Sequence, residues 1–263
     1  YERDFADPDG VIDWFIQLPA GCVAGANVSK LGGWQFTAIQ PAIDFLKTAS
    51  PSLIGDTCVV IRDTQTYSES VQVRGFTNNG FQLKIMSDPS YVSSAPVVNP
   101  PILSTAAFYV QNASATIMGI SVISTNSVPY GLYVSSSYVT ISSVNVMDSG
   151  GNLYWEAVAI RSDWAAISYS TVSAFNRALT VNNSAWTAIS NSSFTTIGNA
   201  ITAHISKSSY TTITNTVINL GGTTASGQGS LYLDDAHFTT IDLSSITNNV
   251  NNGNWNFNMA LYS

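Results

Sequence analysis

One pattern recurs down the second half of the chain: apolar, any residue, apolar, a short polar step, then Thr-Ile or Ala-Ile. The copies begin at Phe108-Tyr109-Val110 with Thr116-Ile117 and Leu132-Tyr133-Val134 with Thr140-Ile141. They continue through Val158-Ala159-Ile160 with Ala166-Ile167, Leu179-Thr180-Val181 with Ala188-Ile189, and Ala203-His204-Ile205 with Thr212-Ile213, and end at Leu231-Tyr232-Leu233 with Thr240-Ile241. Both anchor columns recur every 21 to 28 residues or so, about the span of one coil, and they keep pace with each other. A coil this short cannot bury its own apolar edge. It must stack on its neighbours, so the pattern predicts a solenoid.

Composition narrows what such a solenoid does. Charged residues make up 10% of the 263, and Ser, Thr and Asn supply the missing polarity. The net charge of −7, with nine Lys plus Arg, argues against nucleic acid, whose binders cluster basic residues to displace counterions. No apolar run of about 20 residues exists, so no membrane-spanning helix is expected. The chain opens on Tyr1 with no Met and no signal-peptide pattern, as a processed form or an excised fragment would. The surface composition favours an extracellular or cell-surface location. Two cysteines, Cys22 and Cys58, permit one pairing; they form a disulfide or remain two buried thiols.

Residues 1–57 read as an N-terminal segment with a capping helix, and 58–263 as the solenoid, the two forming one continuous domain. Asp7-Pro8-Asp9-Gly10 is a turn. With Asp13 it also resembles half of a calcium loop, but the EF-hand spacing is not met, so no cofactor is expected and Ca²⁺ stays an option only. Thr37 and Gln40 have capping-box spacing ahead of a helix in which Ile39, Ala42, Ile43 and Leu46 share one face. That face suits the open end of a solenoid. Cys58–Ile61, Ser70–Arg74 and Phe81–Ile85 read as strands.

The block Phe36-Thr37-Ala38-Ile39-Gln40-Pro41-Ala42-Ile43, then Val59-Val60-Ile61, then Thr66-Tyr67-Ser68-Glu69-Ser70-Val71-Gln72-Val73, resembles the entry segment of right-handed parallel β-helix proteins of the pectin-lyase-like superfamily. The resemblance implies an all-β, right-handed parallel β-helix with a short N-terminal capping helix. It implies little about activity, because that superfamily holds lyases, hydrolases, adhesins and surface proteins.

Strand alternation then assigns faces. Val110, Val134, Ile160, Val181, Ile205 and Leu233 form one inner ladder, and the six isoleucines another. Tyr109, Tyr133, Ala159, Thr180, His204 and Tyr232 form an outward column. For a lyase or hydrolase, the best constellation is Glu156, Arg161 and Asp163, with Asp148 and Arg177 nearby; the same residues also suit an ordinary ion-pair group. Asp234-Asp235 and the two histidines, His204 and His237, complete no catalytic set. Tyr109, Tyr133 and Tyr232 are candidates for stacking on sugar rings or for lateral packing of rods. The alternating tail Trp255, Phe257, Met259 and Leu261, together with Ile39 and Phe45, is the expected interface of a head-to-tail homopolymer. The leading expectation is a non-enzymatic, self-assembling extracellular solenoid. A polysaccharide lyase or hydrolase and a carbohydrate-binding adhesin are the alternatives.

Overall fold

The structure, a computed structural model, is described for residues 18–198, 200–222 and 229–248, and for the backbone of 257–262. It is a parallel β-solenoid of three sheets with nine, eight and eight strands among the described residues. Each coil contributes one strand to each sheet in turn, and strands pair only with those of the coils before and after. The first sheet, here the isoleucine sheet, begins with Ala24–Val28 and Thr57–Ile61 and ends at Thr240–Asp242. The second, the valine sheet, runs from Thr66–Tyr67 to Ser245–Asn248. The third, the tyrosine sheet, runs from Val71–Arg74 to Phe257–Tyr262.

Both inner ladders read from the repeat are in register. Val110 pairs with Val134, Val134 with Ile160, Ile160 with Val181, Val181 with Ile205, and Ile205 with Leu233. Ile117, Ile141, Ile167, Ile189, Ile213 and Ile241 pair in sequence in the isoleucine sheet. A third ladder was not anticipated: Val98, Val122, Val146, Val172, Phe194, Ile218 and Ile246. Parallel sheets buried on a common interior want apolar side chains at every inward position, and the three ladders supply them. Rungs about 4.8 Å apart satisfy the backbone between coils.

The one described helix, α1 (Ile39–Ala49), covers the first coil with Ile39, Ala42, Ile43 and Leu46, all buried. Its capping box is not formed. The N-cap is Ala38, which makes no side-chain cap. Instead the Glu69 carboxylate, entering the tyrosine sheet, accepts the Ile39 N–H at 2.9 Å and the Gln40 N–H at 2.7 Å. A full charge on two orphan helix donors outcompetes a neutral Thr hydroxyl. Gln40 is thereby released for another task. Its amide accepts the Gln72 N–H at 2.6 Å and donates to the Gln72 carbonyl at 3.3 Å, standing in for the strand neighbour that the first strand of the tyrosine sheet lacks.

Cys22 and Cys58 are joined by a disulfide, with Cα atoms 5.8 Å apart and a sequence separation of 36. Closing a loop of that size stabilises the fold by about 4 kcal/mol in the chain-entropy account.

Sharp corners join the sheets. Between the isoleucine and valine sheets a single left-handed residue makes the turn: Gly119, Ser143, Tyr169, Asn191, Asn215 or Leu243. Between the tyrosine and isoleucine sheets, Tyr138, Trp164, Trp186, Tyr210 and Phe238 all have φ between 54° and 60°. Such backbone costs an L residue about 1–2 kcal/mol. Here the five rings stack on one another with interplanar angles of 5° to 10° and centroids 4.2–5.9 Å apart. Each stack returns about 0.5–1.5 kcal/mol, comparable with the strain.

Candidate functional site

The outer face of the tyrosine sheet brings aromatic and charged side chains together. Two features of the strands shape it. First, each strand turns two consecutive residues inward: Ala107 and Phe108, Ala157 and Val158, and Ala178 and Leu179 all lie in the core. Gly131 takes the same place before Leu132, and a Cβ there would come 2.5 Å from the Ala157 carbonyl oxygen. Side chains flanking this pair converge on the outside, so the Tyr130 and Tyr133 rings lie 4.7 Å apart. Second, a bulge interrupts the pairing of Val128–Ser135 with Leu153–Ile160: Val128 faces Leu153, but Tyr130 faces Glu156. The extra residue leaves Tyr154 and Trp155 exposed side by side, 44% and 56%. Bulges re-aim side chains in this way near functional sites.

The resulting aromatic group is continuous. Tyr109 lies 5.3 Å from Tyr133, Trp155 packs edge-on against Tyr130 at 5.3 Å, and Tyr154 packs edge-on against Trp155 at 5.6 Å. The Arg161 guanidinium sits 5.6 Å from the Tyr133 ring centre and 6.0 Å from that of Tyr130.

Beside the rings, Glu156 is held between two arginines. Its Oε2 is 3.7 Å from Arg161 Nη2 and its Oε1 is 3.5 Å from Arg177 Nη1. The Glu156 side chain is only 10% exposed, yet its Oε2 accepts no hydrogen bond, and Arg177 Nε donates none. Burial pushes the Arg177 guanidinium below its ordinary value; Glu156 opposes that and Arg161 adds to it. His204, farther along the face, is also pushed down, first by burial and then by Arg177, with Asp234 opposing. Its Nε2 is buried without a partner. Burial raises the Tyr130 phenol. Buried polar atoms are ordinarily satisfied, yet one atom each of Glu156, Arg177 and His204 makes no hydrogen bond, although Glu156 is ion-paired with both arginines.

The structure sorts the residues singled out in the sequence. Glu156 and Arg161 come together, with Arg177 as the third member. Asp163 does not join them: its Oδ1 accepts the Ala185 N–H at 2.7 Å and braces the turn before Trp186. Asp148 accepts the Asn152 and Leu153 N–H groups at 2.8 and 3.2 Å, which also commits it to backbone. Short loops need such anchors more than the surface needs a further acid. Asp235 pairs with His237 at 2.9 Å, and Asp234 faces the Ser206 hydroxyl at 3.4 Å. Tyr109 and Tyr133 are neighbours, whereas Ala159, Thr180 and His204 separate Tyr133 from Tyr232, whose ring meets His204 edge-on. Ile39, the first residue of α1, is fully buried against the first coil, while Phe45 is half exposed and leans on Phe36. Trp255 lies outside the described residues, as do the side chains of Phe257, Met259 and Leu261 and the Asp7–Gly10 turn with Asp13. Among the described residues, no three His, Cys, Asp or Glu side chains cluster as a metal site needs.

Tyr130, Trp155 and the stacked row at the corner were missed from sequence. The row did leave a signal, an aromatic residue three places ahead of each isoleucine from Ile141 onward. The bulge that presents Trp155 left none.

No family model matches this chain, and no curated protein matches it. Two solved structures resemble it. The pectin methylesterase from Aspergillus niger in deglycosylated form is 12% identical, with a TM-score of 0.53 over 92% of this chain and 86% of that one. Escherichia coli YbhC is 12% identical, with a TM-score of 0.49 over 88% of this chain and 76% of that one. At such identity the likeness to the first is one of fold: this chain is a right-handed parallel β-helix.

Proposed function

We propose that this β-helix binds an acidic polysaccharide along the outer face of its tyrosine sheet. The observation that carries the reading is the Glu156–Arg161–Arg177 group beside the Tyr109, Tyr133 and Trp155 rings, which pack over the buried Tyr130. Aromatic rings suit the apolar faces of sugars, and two guanidiniums around one carboxylate leave a net positive charge for an anionic group. Binding fits better than hydrolysis. Acid–base cleavage wants two carboxylates flanking one bond, and Asp163 and Asp148 are both tied to backbone. Pectin, named in the fold relative's title, is a natural first probe. Wild-type protein is expected to bind polygalacturonate by titration calorimetry without releasing products. Arg161→Ala is expected to weaken binding about tenfold, or about 1.4 kcal/mol. No binding to any acidic glycan would overturn the reading; product release would replace it with an enzymatic one.

Association between copies is a second reading, and one observation favours it. Ile241 and Ile246 in the last described coil are only partly buried, whereas Ile213 and Ile218 one coil earlier are fully so. Particles that lengthen with concentration under negative stain are the expected result; monomers at every concentration would remove it. The Cys22–Cys58 disulfide supports an extracellular setting, since disulfides persist in oxidising compartments.

A further inference from the structure

A groove of about 250 Å³ lies between α1 and the first strand of the tyrosine sheet. Lys47 and Arg74 line it, with Gln40, Asp44 and Gln72. Lys47 lies across the bare backbone of Gly75: a Cβ at that position would come 2.9 Å from Lys47 Cε and 3.0 Å from Nζ. This packing holds the ammonium beside the residue that follows Arg74. Two cations are thus neighbours, and among the described residues neither has a carboxylate within ion-pair distance. Asp44, whose Oδ1 accepts the Gln40 amide N–H at 3.0 Å, lines the same groove, whose three charged residues leave one net positive charge. In a chain with nine Lys plus Arg and a net charge of −7, such a pair is conspicuous. Like charges side by side repel and await a counter-charge.

The groove is continuous with the surface already described. Gln72 pairs with Tyr109, and Arg74 with Gln111. Gln111 pairs with Ser135, and Arg161 continues that outward column on the next coil. Arg74 therefore stands three rungs from Arg161, about 14 Å along the axis, with Tyr109 and Tyr133 between them.

We propose that Lys47 and Arg74 form a second anion subsite, which takes a carboxylate or sulfate ester of an acidic oligosaccharide lying along the rod axis. The inference rests on the glycan-binding reading above and gives it a direction: α1 closes the first coil and also walls the far end of the binding surface. Ala42 and Leu46 are buried against the core while Lys47 lines the groove, so one helix does both.

Calorimetry with galacturonic acid and with oligogalacturonates long enough to span about 14 Å tests it. Lys47→Gln combined with Arg74→Gln is expected to weaken the long oligomers about tenfold, or about 1.4 kcal/mol. Monomer binding stays unchanged. Lys47→Arg, which keeps the charge, is expected to bind as wild type does. Undiminished binding of long oligomers by the double variant, or an equal loss for monomer and oligomer, would overturn the inference and leave the glycan reading standing. If wild-type protein binds no oligomer of any length, both fall.

Discussion

Two aromatic assemblies decorate this rod, and they use their rings in opposite ways. At the corner between the tyrosine and isoleucine sheets, Trp164, Trp186 and Tyr210 each give both faces to neighbours above and below. What reaches solvent is ring edge. On the outer face of the tyrosine sheet the rings are tilted or perpendicular, with interplanar angles from 42° to 80°. Their faces are not consumed by stacking, and charged groups lie among them. The comparison teaches that exposure alone does not identify a recognition surface. Phe238 and Trp155 are both well exposed, but the corner row holds a strained turn in place, whereas the sheet face offers ring surface and unpaired polar atoms.

The largest effect that would sharpen this contrast comes from Glu156→Gln. It leaves two guanidiniums without a counter-ion in a partly buried group, and is expected to cost about 2–3 kcal/mol in denaturant unfolding. The same change should tighten polygalacturonate binding, because the local charge rises; weaker binding would mean that Glu156 itself contacts the ligand. Next is Trp186, stacked at 5.1 and 4.2 Å on either side. Trp186→Ala should lose about 2 kcal/mol of stability while glycan affinity stays unchanged. Trp186→Gly should lose about 1 kcal/mol less, since glycine relaxes the left-handed turn. If the order of these two variants reverses, the ladder is not compensating for backbone strain.

The smallest effect is one of pH. His204 faces Arg177, Asp234, Thr180 and Tyr232, and burial, then Arg177, lowers it from its ordinary 6.5. The folded protein therefore binds this proton less readily than the unfolded chain does. Its contribution is complete above about 6.5 and is lost as the pH falls below that toward the lowered value. Melting temperatures at neutral and mildly acidic pH should differ, and His204→Asn should narrow the gap. Trp186→Gly, in the corner row and away from His204, should leave the gap as it is.

Much of the architecture was legible because a solenoid repeats. Val110 and Ile117 each predicted the positions of five successors. The valine sheet was not singled out, since its strands are three or four residues long for the most part and its inward residues sit among Ser, Thr and Asn. The helix was legible from its apolar face, but its cap was not: Glu69 lies 30 residues from Ile39 in sequence. For the candidate site, Arg161, Tyr109 and Tyr133 followed from alternation, and Glu156 was singled out only as a nearby charge. Tyr130 and Trp155 did not: the consecutive inward residues Gly131 and Leu132 shift Tyr130 off the alternation, and a bulge does the same for Trp155. Asp163 looked like a partner for Arg161 because adjacency in sequence says nothing about which backbone donor an acid will find first.

The left-handed corners have a consequence for how this rod tolerates change. From Ile117 to Val122, Ile141 to Val146, Ile167 to Val172, Ile189 to Phe194, Ile213 to Ile218 and Ile241 to Ile246, the spacing never varies. From each of the first three tyrosine-sheet anchors to its isoleucine it is constant, and from each of the last three it is one residue longer. Nearly all the variation in repeat length therefore falls at the remaining corner, where the valine sheet hands over to the tyrosine sheet. That corner feeds directly into the bulge bearing Tyr154 and Trp155. Two edges of the triangular cross-section act as fixed gauges, and the third is free to accept new loops, so lineages or designers can rebuild the rim of the recognition face without disturbing a single stacked row.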